Sequence, residues 1–448
     1  MNPEVRAMVP AGRPPGIAPE ATGPGWLEAP AAEAFTGIAG RFVETVSPHT
    51  EADPVALLAQ FLTAAGCAIG PGPYVTVGAD RHEPRLFVVL VGETSRGRKG
   101  SSLGWVRHVV ETADPTFAER WQSGLSSGEG LIYAVRDEVR EWKAGKKGGQ
   151  GAFVVTDPGI ADKRLLVVEA EYSRPLRVAE REGNILSEVL RLAWDGAPLQ
   201  TLTRSSPVRA RRSFISVVGH TTAEELRRRL GEDSAANGYG NRHLWLAVRR
   251  SRLLPDGGRL RPEDLAPLAA DLRERILFAR SLGEVRRSPS FAELWRAVYP
   301  SLTEDKPGMF GAMTARAEAQ VLRLSLIYAL LDASSTIDPR HLLAALALWS
   351  HAENSVRYIF GDALGDPVAD EILTALRRSP RGMTRTEIRD MFGRHQSAGR
   401  IATALGSLRR LGLAEVVQTE TPGRHAERWV CVRDCDRSDK SDRRGGVA

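Results

Sequence analysis

Glycines followed closely by lysine and serine, at the end of an apolar run, give this 448-residue sequence one arrangement suited to holding a polyphosphate. The stretch is Leu86-Phe-Val-Val-Leu-Val-Gly-Glu-Thr-Ser-Arg-Gly-Arg-Lys-Gly-Ser-Ser102. Backbone N–H groups of a glycine-bearing loop and of a helix N-terminus converge on an anion, a lysine adds a point charge, and a hydroxyl can ligate Mg2+. Gly92, Gly97, Arg98, Lys99, Gly100, Ser101 and Ser102 are therefore the expected nucleotide-binding residues. The spelling departs from G-x-x-x-x-G-K-[ST]: Arg98 stands between Gly97 and Lys99, and Gly100 between Lys99 and Ser101. The other reading of the same residues is a solvated, basic strand-to-helix turn.

Acids and a candidate cation lie downstream. Leu165-Leu-Val-Val-Glu169-Ala-Glu171 reads as a buried strand ending in two carboxylates. Strand alternation would point Glu169 and Glu171 the same way, so that Glu169, with Ser101, holds Mg2+ while Glu171 orients an attacking water. The alternative is a strand followed by an acidic loop. Phe214-Ile-Ser-Val-Val-Gly-His220-Thr221 delivers polar side chains at the end of another apolar strand, which makes His220 and Thr221 sensor candidates for a terminal phosphate. Arg242, in Asn237-Gly-Tyr-Gly-Asn-Arg-His-Leu-Trp245, is suited to multi-donor contact with a transferring phosphate across a subunit boundary. It could equally be a surface arginine in a defined turn, and Arg316 competes for the same role.

These residues need elements to position them. Apolar patterning predicts helices over 32–46 and 54–65 and strands over 74–77 and 86–91. Helices over 101–112 and 128–141, a strand over 165–168, a helix over 184–194, a strand over 213–218 and a helix over 222–230 follow. Strands alternating with helices imply an α/β fold with a parallel sheet covered on both faces. From 265 to 362 the pattern is helical, with Asp338-Pro339 as N-cap and first-turn proline of its last helix. Thr384-Arg-Thr-Glu387 spells a capping box within a final block of three helical patterns and a hairpin, the layout of a winged helix-turn-helix. The expected organisation is a disordered 1–30, a phosphate-loop ATPase core over 31–262, a helical bundle over 263–362, a winged helix over 367–432 and a disordered 433–448.

Charge points to a polyanion. The chain carries net charge +6, and residues 367–432 hold eleven arginines against seven acids. Arg394, Arg400, Arg409, Arg410 and Arg424 are the expected DNA phosphate contacts. The 143–151 loop, Lys-Ala-Gly-Lys-Lys-Gly-Gly-Gln-Gly, could track a phosphate backbone, although no aromatic is interleaved in it for base stacking. Cys67, Cys431 and Cys435 lack a zinc spacing, which implies a reduced, cytoplasmic setting. The uncharged 54–79 stretch is cut by Gly66, Gly70, Pro71, Gly72 and Pro73, so no membrane span is expected.

Several further segments carry a resemblance. They are Pro48-His-Thr-Glu-Ala-Asp-Pro54, the phosphate loop from Val91 to Ser101, Ser127-Gly-Glu-Gly-Leu131, Val167-Val-Glu-Ala-Glu171, Ala193-Trp-Asp-Gly-Ala-Pro-Leu199, Asn241-Arg-His-Leu-Trp245 and Arg323-Leu-Ser-Leu-Ile-Tyr-Ala-Leu-Leu331. Over 45–432 the chain resembles a family of uncharacterised bacterial ATPases carried by prophages, plasmids and integrative elements of actinobacteria. These are related to RecA-type replicative helicases and often lie beside primase-polymerase genes. The resemblance implies a RecA-like core using ATP and Mg2+, DNA as partner, a primase or other replication protein nearby, and a homo-oligomer, which could be a ring. Two functions follow as expectations: an ATP-dependent, helicase-like DNA motor serving replication of a mobile element, or a non-motor DNA-binding regulator with a degenerate nucleotide site.

Overall fold

Phe87–Val91 is buried at every position, as a central parallel strand with both faces covered must be. A computed structural model describes residues 26–92, 99–143, 151–202, 207–230, 237–361, 366–410, 412–419 and 426–432. The expectations for both chain ends, for 93–98 and for most of the 143–151 loop lie outside these residues.

Five strands, β1 (Phe87–Val91), β2 (Trp121–Gln122), β3 (Arg164–Glu169), β4 (Phe214–Thr221) and β5 (Leu244–Ala247), form one sheet in the order β5-β1-β4-β3-β2. All four pairings are parallel. The α/β class with a parallel sheet expected from the alternation is therefore present. The edge strand β2 lies between the helices expected over 101–112 and 128–141, where no strand is expected because two residues carry no period.

One face of the sheet, carrying Val88, Leu90, Leu166, Val218, Leu244 and Leu246, joins a large apolar core. Against it lie α1 (Gly37–Val46), α2 (Pro54–Ile69) and α3 (Lys99–Ala113), together with α8 (Ala266–Arg280), α9 (Pro289–Leu302), α10 (Ala317–Leu331) and α11 (Pro339–Phe360). The opposite face packs Tyr172, His243 and Trp245 as a ring cluster beside Phe87. Between β2 and β5 the chain also forms α4 (Gly128–Tyr133), α5 (Ser173–Ala179), α6 (Leu186–Asp195) and α7 (Ala223–Arg229).

The boundary expected at 262/263 is absent. Every residue from Val55 to Ile69 in α2 and from Ala319 to Leu331 in α10 is buried, and a helix apolar all round needs neighbours on all sides. Gly66 lets α2 close on the Pro84 carbonyl, and a Cβ there would also stand 3.2 Å from Ile327 of α10. The helices after 263 thus finish the core that the sheet begins, and the chain divides near 361, where the helical stretch was expected to end. No described helix is long and apolar enough to cross a membrane.

The helix expected over 128–141 ends at Tyr133. After a turn, Val139–Lys143 pairs antiparallel with Ala152–Asp157 as a hairpin. Val139 and Trp142 repeat at the i, i+3 spacing of a helix, and the tertiary contact of the Asp137 N–H with the Arg209 carbonyl directs the chain out of it.

The second unit contains α12 (Pro367–Arg378), α13 (Arg385–Met391) and α14 (Ala398–Arg410), together with an antiparallel sheet. Its strands β6 (Met383–Thr384), β7 (Ala414–Thr419) and β8 (Ala426–Cys431) are ordered β6-β8-β7. Ile372, Leu376, Ile388, Leu405, Leu408 and Trp429 meet in its own core. The Thr384 capping box forms as expected: the Thr384 N–H donates to Glu387 Oε2 at 2.6 Å and the Glu387 N–H donates to Thr384 Oγ1 at 3.2 Å.

A polar clamp ties the sheet to the helices on both sides of residue 263. Arg164, at the start of β3, donates to Asp114 Oδ2 and to the Ala68 carbonyl, each at 2.7 Å. Arg280, at the end of α8, donates to the same two groups. Burial by itself would raise the Asp114 pKa, but hydrogen bonds from Thr116, Arg164 and Arg280 more than offset it and hold the carboxyl at about 2. A folded-state pKa below the unfolded value means that this stabilisation is complete above the unfolded pKa of about 3.9 and is lost as pH falls through the folded one. Asp114→Asn is expected to lower unfolding stability at pH 7 by roughly 2 kcal/mol. In urea melts the gap from wild type should narrow steadily as the pH is taken from about 5 towards 2.

Candidate functional site

Parallel pairing sets the C-terminal ends of β1, β4 and β3 side by side. The Gly92 N–H donates to the Thr221 carbonyl at 3.1 Å, extending the β1–β4 ladder to the edge of the sheet. On its other side Gly92 is pressed against the residue that follows β5, where a Cβ would stand 2.5 Å from the Val248 carbonyl oxygen. Only glycine fits that approach. The chain re-enters the described residues as α3 starts at Lys99, with Gly100 exposed and Ser102 buried in its first turn. Gly97 and Arg98, and the side chains of Lys99 and Ser101, lie outside the described residues. A strand leading through a glycine into a helix is nonetheless the backbone layout the loop reading requires.

Glu169 ends β3, opposite Gly219 of β4. It is buried, and its Oε1 accepts the N–H groups of Gly124 and Leu125, both at 2.6 Å. The carboxylate therefore fixes the segment that follows β2, and among the described residues Oε2 has no hydrogen-bond partner, which leaves its lone pairs for water or a hydrated cation. Two strand spacings, about 10 Å, separate β3 from β1. Among the described residues no group of three or more His, Cys, Asp or Glu side chains could hold a metal ion. Mg2+ commonly takes one or two carboxylates and completes its shell with waters and substrate phosphates, so Glu169 and a serine of the loop are a sufficient donor set.

Glu171 does not share a strand face with Glu169. The strand stops at Glu169, the Tyr172 N–H donates to the His220 carbonyl at 2.7 Å, and the Tyr172 ring lies over Gly219, where any Cβ would collide with it. These contacts turn the chain into α5 and leave Glu171 exposed beyond the sheet edge. Tyr172 is anchored further inside. Its hydroxyl lies 2.8 Å from that of Tyr239 and 2.7 Å from His243 Nε2, while His243 Nδ1 donates to the Tyr239 carbonyl at 2.9 Å. Burial pushes the His243 pKa down to about 3, so the ring is neutral and Nε2 accepts from Tyr172.

The two sensor candidates diverge. His220 is buried with its Nε2 2.9 Å from Gln60 Nε2, the α2 amide donating to a ring lone pair. Thr221 Oγ1 instead donates to Glu225 Oε2 at 3.4 Å, and Ser173 Oγ donates to Glu225 Oε1 at 3.3 Å. Glu225 is a third carboxylate at this end of the sheet, and it was not among the expected residues. Its signal was available as Thr222-Ala-Glu-Glu225, a capping-box spelling directly after the strand.

Arg242 lies elsewhere. It precedes β5, whose Leu244 pairs with Val88, so it belongs to the N-terminal edge of the sheet, opposite Gly92 and Glu169. The residue is buried. Its Nη2 and Nε donate to Asp195 at 2.7 and 3.3 Å, and its Nη1 donates to the Gly238 carbonyl at 2.6 Å. Arg242 therefore does not extend from the surface as a finger for another subunit. Its fork is filled within its own chain, because the preceding turn and the end of α6 meet there. The Trp194 ring beneath it also receives Arg316 and Arg323, whose guanidinium carbons lie 5.3 and 3.6 Å from the ring centre. Arg316 is the half-exposed member of the three, 3.7 Å from Asp195. Arg323 is fully enclosed, and burial pulls its pKa well below the usual guanidinium range.

In the second unit Arg400 is likewise a strut. It forms a two-pronged ion pair with Asp366, which caps α12 by accepting the Val368 N–H at 2.9 Å. Arg394, Arg409 and Arg410 are exposed, with Arg394 paired to Asp390 one helical turn back. Arg424 lies outside the described residues.

No protein-family model matches the chain, and no curated protein matches it.

The packing of Arg242 makes it a stability residue. Arg242→Ala is expected to cost about 1–3 kcal/mol, the range for losing hydrogen bonds to a charged group. Arg242→Lys should recover only part of that, because one ammonium cannot reproduce the fork. Denaturant melts of the two variants decide it, and a wild-type midpoint for Arg242→Ala would return the residue to a functional role.

Proposed function

We propose that this chain is an ATP-dependent, helicase-like DNA motor with a RecA-like core, acting in replication of a mobile genetic element. The observation that carries the reading is the shared sheet edge: a glycine-bounded loop into α3, the Glu169 carboxylate and Thr221 stand at the ends of three adjacent parallel strands. Ligands of open parallel sheets bind at the carboxyl ends of the strands. In this reading the backbone of 92–102 and Lys99 hold the phosphates of ATP. Ser101 and Glu169 Oε2 hold Mg2+, which would neutralise phosphate charge when bound. Glu171, exposed just past the strand, orients water, and Thr221 with Glu225 senses the terminal phosphate. Three helices followed by antiparallel strands support a winged helix for the second unit, with Arg394, Arg409, Arg410 and Arg424 on DNA phosphates. The sequence resemblance supports a primase or other replication protein as partner and a homo-oligomer such as a ring, in which a cation other than Arg242 would reach the phosphates between subunits; Arg316 is the half-exposed choice.

A second reading has one observation in its favour. Arg98 stands where the phosphate loop needs glycine, and Arg242 is locked within its own chain, as suits a DNA-binding regulator in which nucleotide only switches conformation.

ATP turnover with and without single-stranded DNA separates the two. A motor turns over faster with DNA. Lys99→Ala should reduce nucleotide affinity at least tenfold, about the 1.4 kcal/mol that a modest charge contact supplies. Glu169→Gln should keep binding while lowering turnover by about a hundredfold or more. Nucleotide binding equal in wild type and Lys99→Ala would remove the phosphate-loop assignment. For the second unit, Arg394→Ala, Arg409→Ala and Arg410→Ala together should lower the log–log salt slope of duplex binding by about 3, at roughly 0.9 per phosphate contact. An unchanged slope would make the second unit a protein-docking module.

A further inference from the structure

We propose a phosphate-binding site at the N-terminal edge of the sheet, in which Arg316 and Arg323 grip a phosphate dianion, free or at the end of a phosphomonoester, beside Trp194. It is separate from the nucleotide site proposed above, which lies at the opposite edge.

Two helical stripes build it. Arg316, Gln320 and Arg323 follow one another at i, i+4 and i+7, with Arg316 as the N-cap of α10, and so share one face. Arg191, Trp194 and Asp195 do the same at i, i+3 and i+4 near the end of α6. The stripes meet at the Trp194 ring, whose centre lies 3.6 Å from the guanidinium carbon of Arg323 and 5.3 Å from that of Arg316. The turn before β5 adds a third side through Asn241, whose carbonyl accepts from Gln320 Nε2 at 3.4 Å.

Enclosed donors without acceptors mark the place. Arg323 is 3% exposed, and among the described residues its Nε and Nη1 have no hydrogen-bond partner. At 3.6 Å the guanidinium lies on the ring face, so its N–H bonds, confined to its own plane, run outward past the ring. Trp194 Nε1 and Arg191 Nε are enclosed and without partner in the same way. Leaving such groups unpaired is costly, the charged ones most of all. The amide oxygens of Gln320 and Asn241 are unpartnered as well, and a half-turn of either amide presents its N–H groups instead.

The nearby acids are engaged elsewhere or stand off. Asp195 receives the Arg242 fork, and Glu83 receives Arg85. Asp80 and Glu318 are in range of Arg316 but form no ion pair with it among the described residues. Arg316 is left with a 3.7 Å approach to Asp195, and Arg323 with no ion pair among the described residues. A guanidinium does not lose its proton in a protein, so Arg323 requires a counter-anion. An acceptor-only ligand with several oxygens meets these donors together, and a phosphate dianion has the charge for two guanidiniums and the geometry their forks match. Arg316, with its side chain 36% exposed, forms the solvent side. Phosphate bound there ties α6, α10 and the turn before β5 to one another. Arg316 serves this anion or one on a neighbouring subunit, and the test separates the two.

The test melts the full-length protein by scanning fluorimetry in phosphate-free buffer and across titrations of inorganic phosphate and ribose 5-phosphate, with ionic strength held by potassium chloride. The wild-type midpoint should rise saturably, as it does for any ligand of the folded state, and whichever compound acts at the lower concentration identifies the source. Lys99→Ala should show the same rise. Arg316→Gln should keep the phosphate-free midpoint and weaken phosphate binding about tenfold or more, the loss expected for one charge-assisted contact. Arg323→Met should melt no lower than wild type without phosphate, because an uncompensated buried charge is gone, and should not respond to phosphate. No rise in the wild type would overturn the site. A rise lost in Lys99→Ala would overturn it by placing the phosphate at the loop, and a rise confined to concentrations at which light scattering shows an assembly would overturn it by placing the phosphate between subunits. An unchanged response in Arg316→Gln would overturn it too, and that variant decides the matter if Arg323→Met does not fold. Arg323→Met melting equally far below wild type in both buffers would leave the guanidinium as a structural partner of Trp194 and remove the site.

Discussion

A parallel sheet has two faces to cover, and in this protein that constraint decides where the chain divides. Parallel strands need crossover connections, so successive helices fall on both sides of the sheet, and the strands become apolar throughout. The residues between β1 and β5 cannot cover the α2 face completely. The helices from 266 to 360 complete it, with α10 buried on all sides beside α2. A segment that reads as a separate helical bundle is in physical terms the outer layer of the same core.

Alignment of the strand ends follows from the same ladder. Parallel hydrogen bonding fixes Gly92 beside Thr221 and Glu169 beside Gly219, and neither relation depends on loops. What leaves the sheet edge is then set by close packing. Gly92 admits the Val248 carbonyl, and Gly219 admits the Tyr172 ring, which redirects the chain so that one carboxylate stays buried and the next is exposed. The buried one, Glu169, spans to the segment after β2 through two backbone N–H groups. A carboxylate at this place thereby couples the geometry of a neighbouring segment to whatever occupies the strand ends, a coupling that an apolar residue could not provide.

Arginine serves two opposite purposes along the chain. Arg164, Arg242, Arg280 and Arg400 reach carboxylates or carbonyls across elements and act as struts, the use for which a planar five-donor group is suited. Arg394, Arg409 and Arg410 remain at the surface of the second unit. A sequence rich in arginine therefore overstates the polyanion-binding surface, because a strut and a phosphate contact look the same until partners are known. Arg323, stacked on Trp194 with no hydrogen-bond partner for Nε or Nη1 among the described residues, is the extreme case of an interior guanidinium held by an aromatic face.

The sequence by itself determined the elements whose period is long or whose ends carry caps. The β1 strand, α2, the three helices of the second unit and the Thr384 capping box were legible because burial on one or both faces and cap chemistry are local in the chain. The class of fold followed from their alternation. Tertiary structure alone decided the rest. The two-residue β2 has no period to read, and the Val139–Lys143 strand continues a helical spacing from a helix whose end is set by a contact with Arg209. Glu171 parted from Glu169 because Tyr172 finds its partners in Tyr239 and His243, far along the chain. Arg242 became a strut because Asp195 comes within reach only when α6 and the turn before β5 meet. In each case the residue type announced a capacity for charge or hydrogen bonding, and the partner that used that capacity was distant in sequence.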